Sequence, residues 1–507
     1  MTAAPATRRT TSLAVLVAAC LAACNPAPSV DAPPAERLRL HPCFLVSLFE
    51  PARCGTFRVP ERRVGAHSAG TVRRTLGLRV VVLPARTRPA AREPLVLLHG
   101  GPGIGAAEQP RYADAVFAEA RRTRDVVLVD QRGTGRSNPL ACDLYDDGGR
   151  LQPYLDPMFP LGAVRRCAAR LARRADLSEY GTDAAADDLD DLRAALGAER
   201  LDLFGVSYGT RAALVYLRRH PSHVRRVVLQ GVVAPDEPIP LAAGRAGERA
   251  LDYLAADCAA DAACRRDVPN PEGDVARVMV RLREAPAVVE LWNGRRLSTE
   301  RVRISARGFA ERLWSMLYSP GDDRETARLV HAAALGALTP FAEAALHESR
   351  ARRRRSEGMM LSVLCAEDAP RLARADTARA AAGALLGLPV ARELLAACAA
   401  WPVGPRDPLG GASALATPAL LLSGEVDPIA PPEWAERARR LLPNSVHLVQ
   451  PRGGHAELAG CAPRLVAAFL DAADPRRLGR TCWPSWDVVA PDGVTTAGRT
   501  AFEHGAP

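Results

Sequence analysis

The most constraining stretch of this chain is Gly205-Val206-Ser207-Tyr208-Gly209. It follows an apolar strand segment, Leu201-Asp202-Leu203-Phe204, and precedes a helical segment over 210–220 that Pro221 closes. Between a strand and a helix, Gly-x-Ser-x-Gly makes a sharp turn that holds the central serine in a strained backbone conformation. Glycines two residues to either side keep Cβ atoms out of the crowded turn. The serine hydroxyl is then presented at the top of a sheet, with a helix N-terminus beneath it. The bland alternative is an ordinary strand-to-helix loop with a solvent serine.

The rest of the chain alternates as an α/β fold requires. Segments 56–64 and 75–83 read as opening strands. Leu95-Val96-Leu97-Leu98 and Asp125-Val126-Val127-Leu128-Val129 are short apolar strands, of the kind buried on both faces of a mostly parallel sheet. They run into His99-Gly100-Gly101-Pro102-Gly103 and Asp130-Gln131-Arg132-Gly133-Thr134-Gly135-Arg136-Ser137. Helical patterns follow at 163–175 and 183–196, and another buried strand at 224–229. From 236 to about 411 the patterns are mainly helical, with a short strand pair within 288–302 and a helix over 378–400. Strand grammar resumes at 418–423 and 446–450. One sheet interrupted by a helical block predicts a lid inserted into a single core. The expected plan is a signal peptide over 1–23, a tether over 24–42, core over 43–235, lid over 236–411, core over 412–482 and an irregular tail over 483–507.

Composition narrows the class. The net charge is +10, but all 67 basic residues are Arg and none is Lys, and they are scattered among Asp and Glu. That skew reads as codon bias. The densest run, 350–355, reads as a solvated helix face, and no nucleic-acid motif is present. At the start, Arg8 and Arg9 precede an apolar run over 12–23 that is too short to span a bilayer. Leu21-Ala22-Ala23-Cys24 then resembles a bacterial lipobox, a signal cleaved before the cysteine that carries lipid; Val17-Ala18-Ala19-Cys20 is a weaker second match. The expectation is an exported chain anchored to a bacterial membrane through lipid on Cys24, facing periplasm or exterior. Of twelve cysteines, ten remain beyond Cys20 and Cys24. They fall in sequence-adjacent couples: Cys43 with Cys54, Cys142 with Cys167, Cys258 with Cys264, Cys365 with Cys398, and Cys461 with Cys482. Sequence does not fix connectivity, and local pairing is expected from proximity in an oxidising compartment. No couple has metal-ligand spacing with nearby histidines, so neither a metal nor an organic cofactor is implied.

Taken together, these motifs resemble the proline iminopeptidase and tripeptidyl aminopeptidase family of serine peptidases, within the α/β-hydrolases. The likeness rests on the motifs at 99–103, 130–137 and 205–209 in that order, then Gly424-Glu425-Val426-Asp427 and Gly453-Gly454-His455. The cysteine couples and Val363-Leu364-Cys365-Ala366-Glu367-Asp368 are more similar to the exported tripeptidyl aminopeptidase branch. The resemblance implies an α/β-hydrolase fold: a mostly parallel sheet flanked by helices, with a mainly helical lid.

In that frame Ser207 is the expected nucleophile, His455 the base and Asp427 the acid, in the chain order this fold uses. Glu425 is the alternative acid, but strand alternation points it away from Asp427. His99 sits on the oxyanion-side loop, and Asp130 reads as structural. The two oxyanion donors are expected to be the backbone N–H groups of Tyr208 and Gly101. An aminopeptidase must also recognise a free α-amine, and Glu367 and Asp368 are the carboxylates that the resemblance offers; a solvated acidic turn is their plain alternative. Trp314, Tyr318 and Trp401 read as lid core or as a pocket lining. The implied partners are peptides with a free N-terminus. Two rivals stand beside this reading: an esterase-like hydrolase with the same triad, and a non-catalytic binding protein on the same fold.

Overall fold

The structure, a computed structural model, describes residues 32–63, 74–145, 148–239, 243–318, 323–351, 355–372, 390–411, 414–455, 460–472, 487–489 and 495–496. The strands in chain order are β1 (His41–Leu45), β2 (Glu50–Pro60), β3 (Thr75–Leu83), β4 (Leu95–Leu98), β5 (Val126–Val129), β6 (Leu201–Val206) and β7 (Val224–Gln230). They continue as β8 (Ala287–Asn293), β9 (Ser298–Ile304), β10 (Ala419–Gly424), β11 (Ser445–Gln450), β12 (Asp487–Val489) and β13 (Thr495–Thr496). All but β8 and β9 join one sheet in the order β1-β2-β3-β5-β4-β6-β7-β10-β11-β12-β13. Its middle, from β5 to β11, is parallel throughout. Its flanks are antiparallel.

The apolar strands sit where their composition requires. β4, β5, β6 and β10 are buried along their whole length. Successive side chains of a strand point to opposite faces, and the cores divide accordingly. Val96, Leu98, Val127, Val129 and Leu203 enter one apolar cluster. Leu95, Leu97, Val126, Leu128 and Phe204 enter the other. The helix Tyr208–Arg219 packs on the first face, with Ala213, Leu214 and Leu217 fully buried.

Between β7 and β10 the chain leaves the sheet. It forms helices including Ala243–Ala260, Pro271–Glu284, Ala306–Met316, Asp323–Ala334, Thr339–Ala351, Glu357–Val363 and Val390–Cys398. The hairpin β8–β9 stands among them as a separate two-stranded sheet. A π-helical turn, Leu364–Asp368, continues the helix Glu357–Val363. No helix among the described residues is long and apolar enough to cross a membrane.

Four of the expected disulfides are present: Cys43–Cys54, Cys142–Cys167, Cys258–Cys264 and Cys365–Cys398. Cys482, the expected partner of Cys461, lies outside the described residues, as do Cys24 and the leader. The helix expected over 378–400 is described only as Val390–Cys398. The tail expected to be irregular is not wholly so: β12 pairs antiparallel with β11, and β13 with β12. These strands span three and two residues, too short to carry a period, so their order comes from the free edge of β11.

Loop length sets how much each disulfide constrains the unfolded chain. Cys365–Cys398 spans 33 residues and Cys258–Cys264 only 6. Replacing both cysteines of the first by Ser is expected to cost about 4 kcal/mol, and of the second about 2 kcal/mol. Urea unfolding of the two double variants against the parent under non-reducing conditions checks the order. Equal costs would remove loop closure as the explanation.

Candidate active site

Ser207 closes β6 and opens the helix Tyr208–Arg219 with φ 56° and ψ −125°, a left-handed conformation unfavourable for a residue with a Cβ. Three contacts hold it there. Its N–H donates to the Gln230 carbonyl at 2.8 Å, tying the turn to the end of β7. Its carbonyl accepts the Thr210 N–H at 2.9 Å and the Thr210 hydroxyl at 2.7 Å. The flanking glycines are required by space. A Cβ on Gly205 would lie 2.5 Å from the Gly209 carbonyl oxygen, and one on Gly209 would run into the Leu98 carbonyl.

The serine meets its two expected partners. Ser207 Oγ lies 3.0 Å from His455 Nε2, and His455 Nδ1 lies 2.8 Å from Asp427 Oδ2. The other Asp427 oxygen accepts the N–H groups of Ile429 and Ala430, both at 2.8 Å, which fixes the carboxylate plane. Asp427 is fully buried. Glu425 faces elsewhere, accepting the Tyr253 hydroxyl at 3.0 Å and the Arg452 N–H at 2.8 Å. The separation does not come from strand alternation, which puts residues two apart on one face; it comes from the turn that follows β10, since the strand ends at Gly424.

Lid residues complete the histidine's setting. The His455 N–H donates to the Tyr318 carbonyl at 2.9 Å, and the Tyr318 ring meets the imidazole edge-on at 5.3 Å. Trp314 stacks edge-on against Tyr318 and donates its indole N–H to the Pro428 carbonyl at 3.0 Å, one residue past Asp427. Trp401 instead bonds Ser362 and sits in the lid core.

Above Ser207 opens a cavity of about 800 Å³, lined by His99, Gly101, Trp314, Tyr318 and His455 among others. The two backbone N–H groups expected to receive an oxyanion belong to Tyr208 and Gly101, and Gly101 lines the cavity. Tyr208 is the first residue of its helix, so its N–H has no intrahelical acceptor. On the facing loop the Gly100 N–H is committed to His99 Nδ1 at 2.8 Å. Gly101 follows on that loop at φ 117°. Burial and the nearby Arg355 push the His99 imidazole down to about 4, so it is neutral at physiological pH and acts as an acceptor for the loop.

Glu367 and Asp368 do not line the cavity, which corrects the role expected for them. Both are fully buried on the π-helical turn. Glu367 accepts the Thr182 N–H at 2.8 Å and its hydroxyl at 2.9 Å, and Thr182 in turn bonds the Tyr208 hydroxyl at 2.7 Å. Asp368 takes Arg211 bidentately at 2.7 and 3.0 Å and accepts the Ile239 N–H at 2.8 Å. Tyr208 and Arg211 belong to the helix that follows Ser207. The two carboxylates therefore anchor that helix to the lid and have no face left for a substrate amine. The carboxylates that do line the cavity are Glu348 and Glu357. Neither stands in a motif, so sequence offered no signal for them.

The 130–137 motif is likewise internal. Asp130 accepts the N–H groups of Ala107 and Arg136 at 2.8 and 2.9 Å. Arg132 binds Asp188 through two bonds of 2.7 Å. These residues shape the loop beside β5 and do not touch Ser207's partners.

A left-handed serine on a strand-to-helix turn, bridged by imidazole to a buried carboxylate above a parallel sheet, defines an α/β fold built for nucleophilic chemistry. The sequence profile described as alpha/beta hydrolase fold matches residues 93–457, and the chain belongs to that family. Among curated relatives, the tripeptidyl aminopeptidase of Streptomyces lividans is 35% identical over 162 residues, covering 29% of this chain and 30% of that protein. Serine protease Hip1 of Mycobacterium tuberculosis is 34% identical over 186 residues, 34% of this chain and 36% of the relative. The proline iminopeptidase of Xylella fastidiosa is 31% identical over 140 residues, 28% and 32% respectively. The aligned stretches thus span about a third of the length of these relatives.

The burial of Glu367 has a consequence for stability. Burial raises its carboxyl to about 7, opposed by Arg211 and the Thr182 donors. An acid whose folded value lies above its ordinary 4.5 binds more protons folded than unfolded between those limits, so stability falls as pH rises through that window. The full loss is about 3 kcal/mol. Glu367→Gln is expected to flatten this slope. Urea unfolding of both proteins from pH 4.5 to 8 tests it, and parallel curves would show that Glu367 ionises without cost.

Proposed function

We propose that the chain is a serine peptidase that removes residues or short peptides from free peptide N-termini. Ser207 attacks the scissile carbonyl while His455 takes its proton, and Asp427 orients the imidazole and stabilises it once protonated. The N–H groups of Tyr208 and Gly101 receive the oxyanion. Collapse of the tetrahedral intermediate breaks the C–N bond, with His455 returning the proton to the leaving amine. Water then repeats the sequence on the acyl-enzyme, releasing the N-terminal fragment and restoring Ser207. The observation that carries the reading is the bridge of 3.0 and 2.8 Å that His455 makes between Ser207 and Asp427 at the cavity floor. The peptidase names of the relatives in the same family support peptides over other acyl substrates.

Recognition of a free amine falls, in this reading, to the cavity carboxylates. Glu357 is buried and holds one oxygen against the Cys142 N–H at 3.2 Å. Burial raises its carboxyl above the ordinary value, so an ammonium ion arriving beside it stabilises the charged form. Arg312 and Arg355 share the lining. Arg312 is turned toward Glu311 and Ser349, at 3.2 and 2.8 Å.

Export and lipid attachment at Cys24 belong to the same proposal. The leader's charge and apolar run support them, as do the four disulfides, which form in oxidising compartments.

The test is hydrolysis of Pro-, Ala- and tripeptidyl-nitroanilides, their N-blocked forms and short nitrophenyl esters. Free-amine amides are expected to be cleaved, and Ser207→Ala to lose on the order of 10⁵-fold in kcat. Glu357→Gln is expected to raise KM for free-amine substrates about tenfold or more, with little change in kcat. Ester turnover without amide cleavage would replace the peptidase reading with an esterase. Hydrolysis unaffected by Ser207→Ala would remove the triad.

A further inference from the structure

The hairpin β8–β9 has one face in the protein and one face bare. Along β8, Val289, Leu291 and Asn293 are buried while Val288, Glu290 and Trp292 are exposed. Their cross-strand partners Arg303, Arg301 and Thr299 are exposed as well. Such alternation is ordinary for a half-buried ribbon; what the outward face carries is not. Val288 is 49% exposed, Trp292 61%, and Leu297, at the turn, 76%. Leu297 has φ 50°, a left-handed conformation that is strained for a residue with a Cβ, and the chain spends it on an apolar side chain in water.

Arginines surround these apolar groups. Arg295 and Arg296 lie in the turn and Arg301 and Arg303 on β9, all exposed. Among the described residues none of the four is held in an ion pair. Among the described residues the ribbon's exposed face carries one acid, Glu290, so four positive charges less one leave +3; Glu300, partly buried on β9, acts electrostatically on Arg296 of the four. Addition of another strand is not the use of this ribbon at Arg303, where the Gln152 side chain occupies the backbone, donating to the carbonyl at 2.9 Å and accepting the N–H at 2.6 Å.

We propose that this face rests on an anionic lipid bilayer. Trp is suited to the boundary between headgroups and hydrocarbon. Val288 and Leu297 gain only by leaving water for an apolar medium. Exposed arginines are drawn to anionic headgroups, each worth about fivefold in partition. A polyanion such as nucleic acid would use the arginines and stack on Trp292, but would leave Val288 and Leu297 in water. The contact is peripheral, with side chains of a rigid ribbon entering the interface.

The experiment uses the full chain and phosphatidylcholine vesicles with or without phosphatidylglycerol, at low and high salt. Any binding by the N-terminal apolar segment is common to every variant, so the local readout is the quenching, by brominated acyl chains, of the fluorescence that Trp292→Phe removes. Quenching on phosphatidylglycerol vesicles is expected, weakening with salt. Replacing Arg295, Arg296, Arg301 and Arg303 by Gln is expected to lower vesicle affinity on the order of 10²-fold without altering thermal unfolding, since all four are exposed. Absence of quenching, or equal vesicle affinity in the Gln variant, overturns the proposal. Tight oligonucleotide binding lost in the Gln variant, with no lipid quenching, overturns it in favour of a polyanion.

Discussion

Everything at the centre of this molecule depends on one unfavourable backbone conformation. A left-handed serine costs on the order of 1–3 kcal/mol, and the fold holds Ser207 there from three directions. β7 takes its N–H through Gln230, Thr210 takes its carbonyl, and the close approach of Leu98 to Gly209 leaves the turn no wider path. Two glycines are the sequence trace of that crowding. The parallel strands on either side, β4 and β7, are its other half, since they supply the carbonyls that the turn is built against. The hydroxyl is thus pre-positioned before any substrate arrives, and no reorganisation is needed to bring it to His455.

How legible this was in sequence follows from how local each signal is. The elbow, the apolar strands and the order Ser207, Asp427, His455 are read from contiguous residues, and the structure brings the three side chains together. The choice between Asp427 and Glu425 was not legible from strand period, which puts residues two apart on one face; the turn after β10 is what separates them. The cysteine couples were legible because partners lie close in the chain. The other failures were long-range. Glu367 and Asp368 look like a polar pair that a substrate could reach, and nothing near them in sequence reveals Arg211, 157 residues before Asp368, or Thr182, 185 before Glu367. A buried carboxylate is identified by its partners, and those came from another element. The order of β12 and β13 was hidden for the same reason, because it is borrowed from the edge of β11.

The corrected role of those carboxylates changes the picture of the lid. A solvated acidic turn would leave the lid as a cover laid over a finished core. The structure instead runs a buried chain of bonds from Glu367 through Thr182 to the Tyr208 hydroxyl, and a second from Asp368 to Arg211. Burying an ion pair is weak evidence for stability in itself, because desolvation offsets the attraction. Its effect here is geometric. The helix whose first N–H is the proposed oxyanion donor is fixed in rotation by a lid segment, and breaking the second chain would leave a charge buried without its partner.

The same dependence appears on the histidine side. The His455 N–H is taken by the Tyr318 carbonyl, Tyr318 packs on the imidazole, and Trp314 holds Pro428 next to Asp427. Lid and core therefore meet at all three proposed catalytic residues: through Tyr208 beside Ser207, through Pro428 beside Asp427, and through Tyr318 at His455. A lid that swung as a rigid cover would withdraw bonds from each of them at once, and the site would be disassembled whenever it was open. Substrate entry that preserves the site must then avoid the helix Ala306–Met316 and the turn Leu364–Asp368, and pass through parts of the lid that make no such bonds. Cleavage from a chain end is compatible with that limit, because an end can be threaded into a cavity of about 800 Å³ without lifting the elements that keep the serine, imidazole and carboxylate in line.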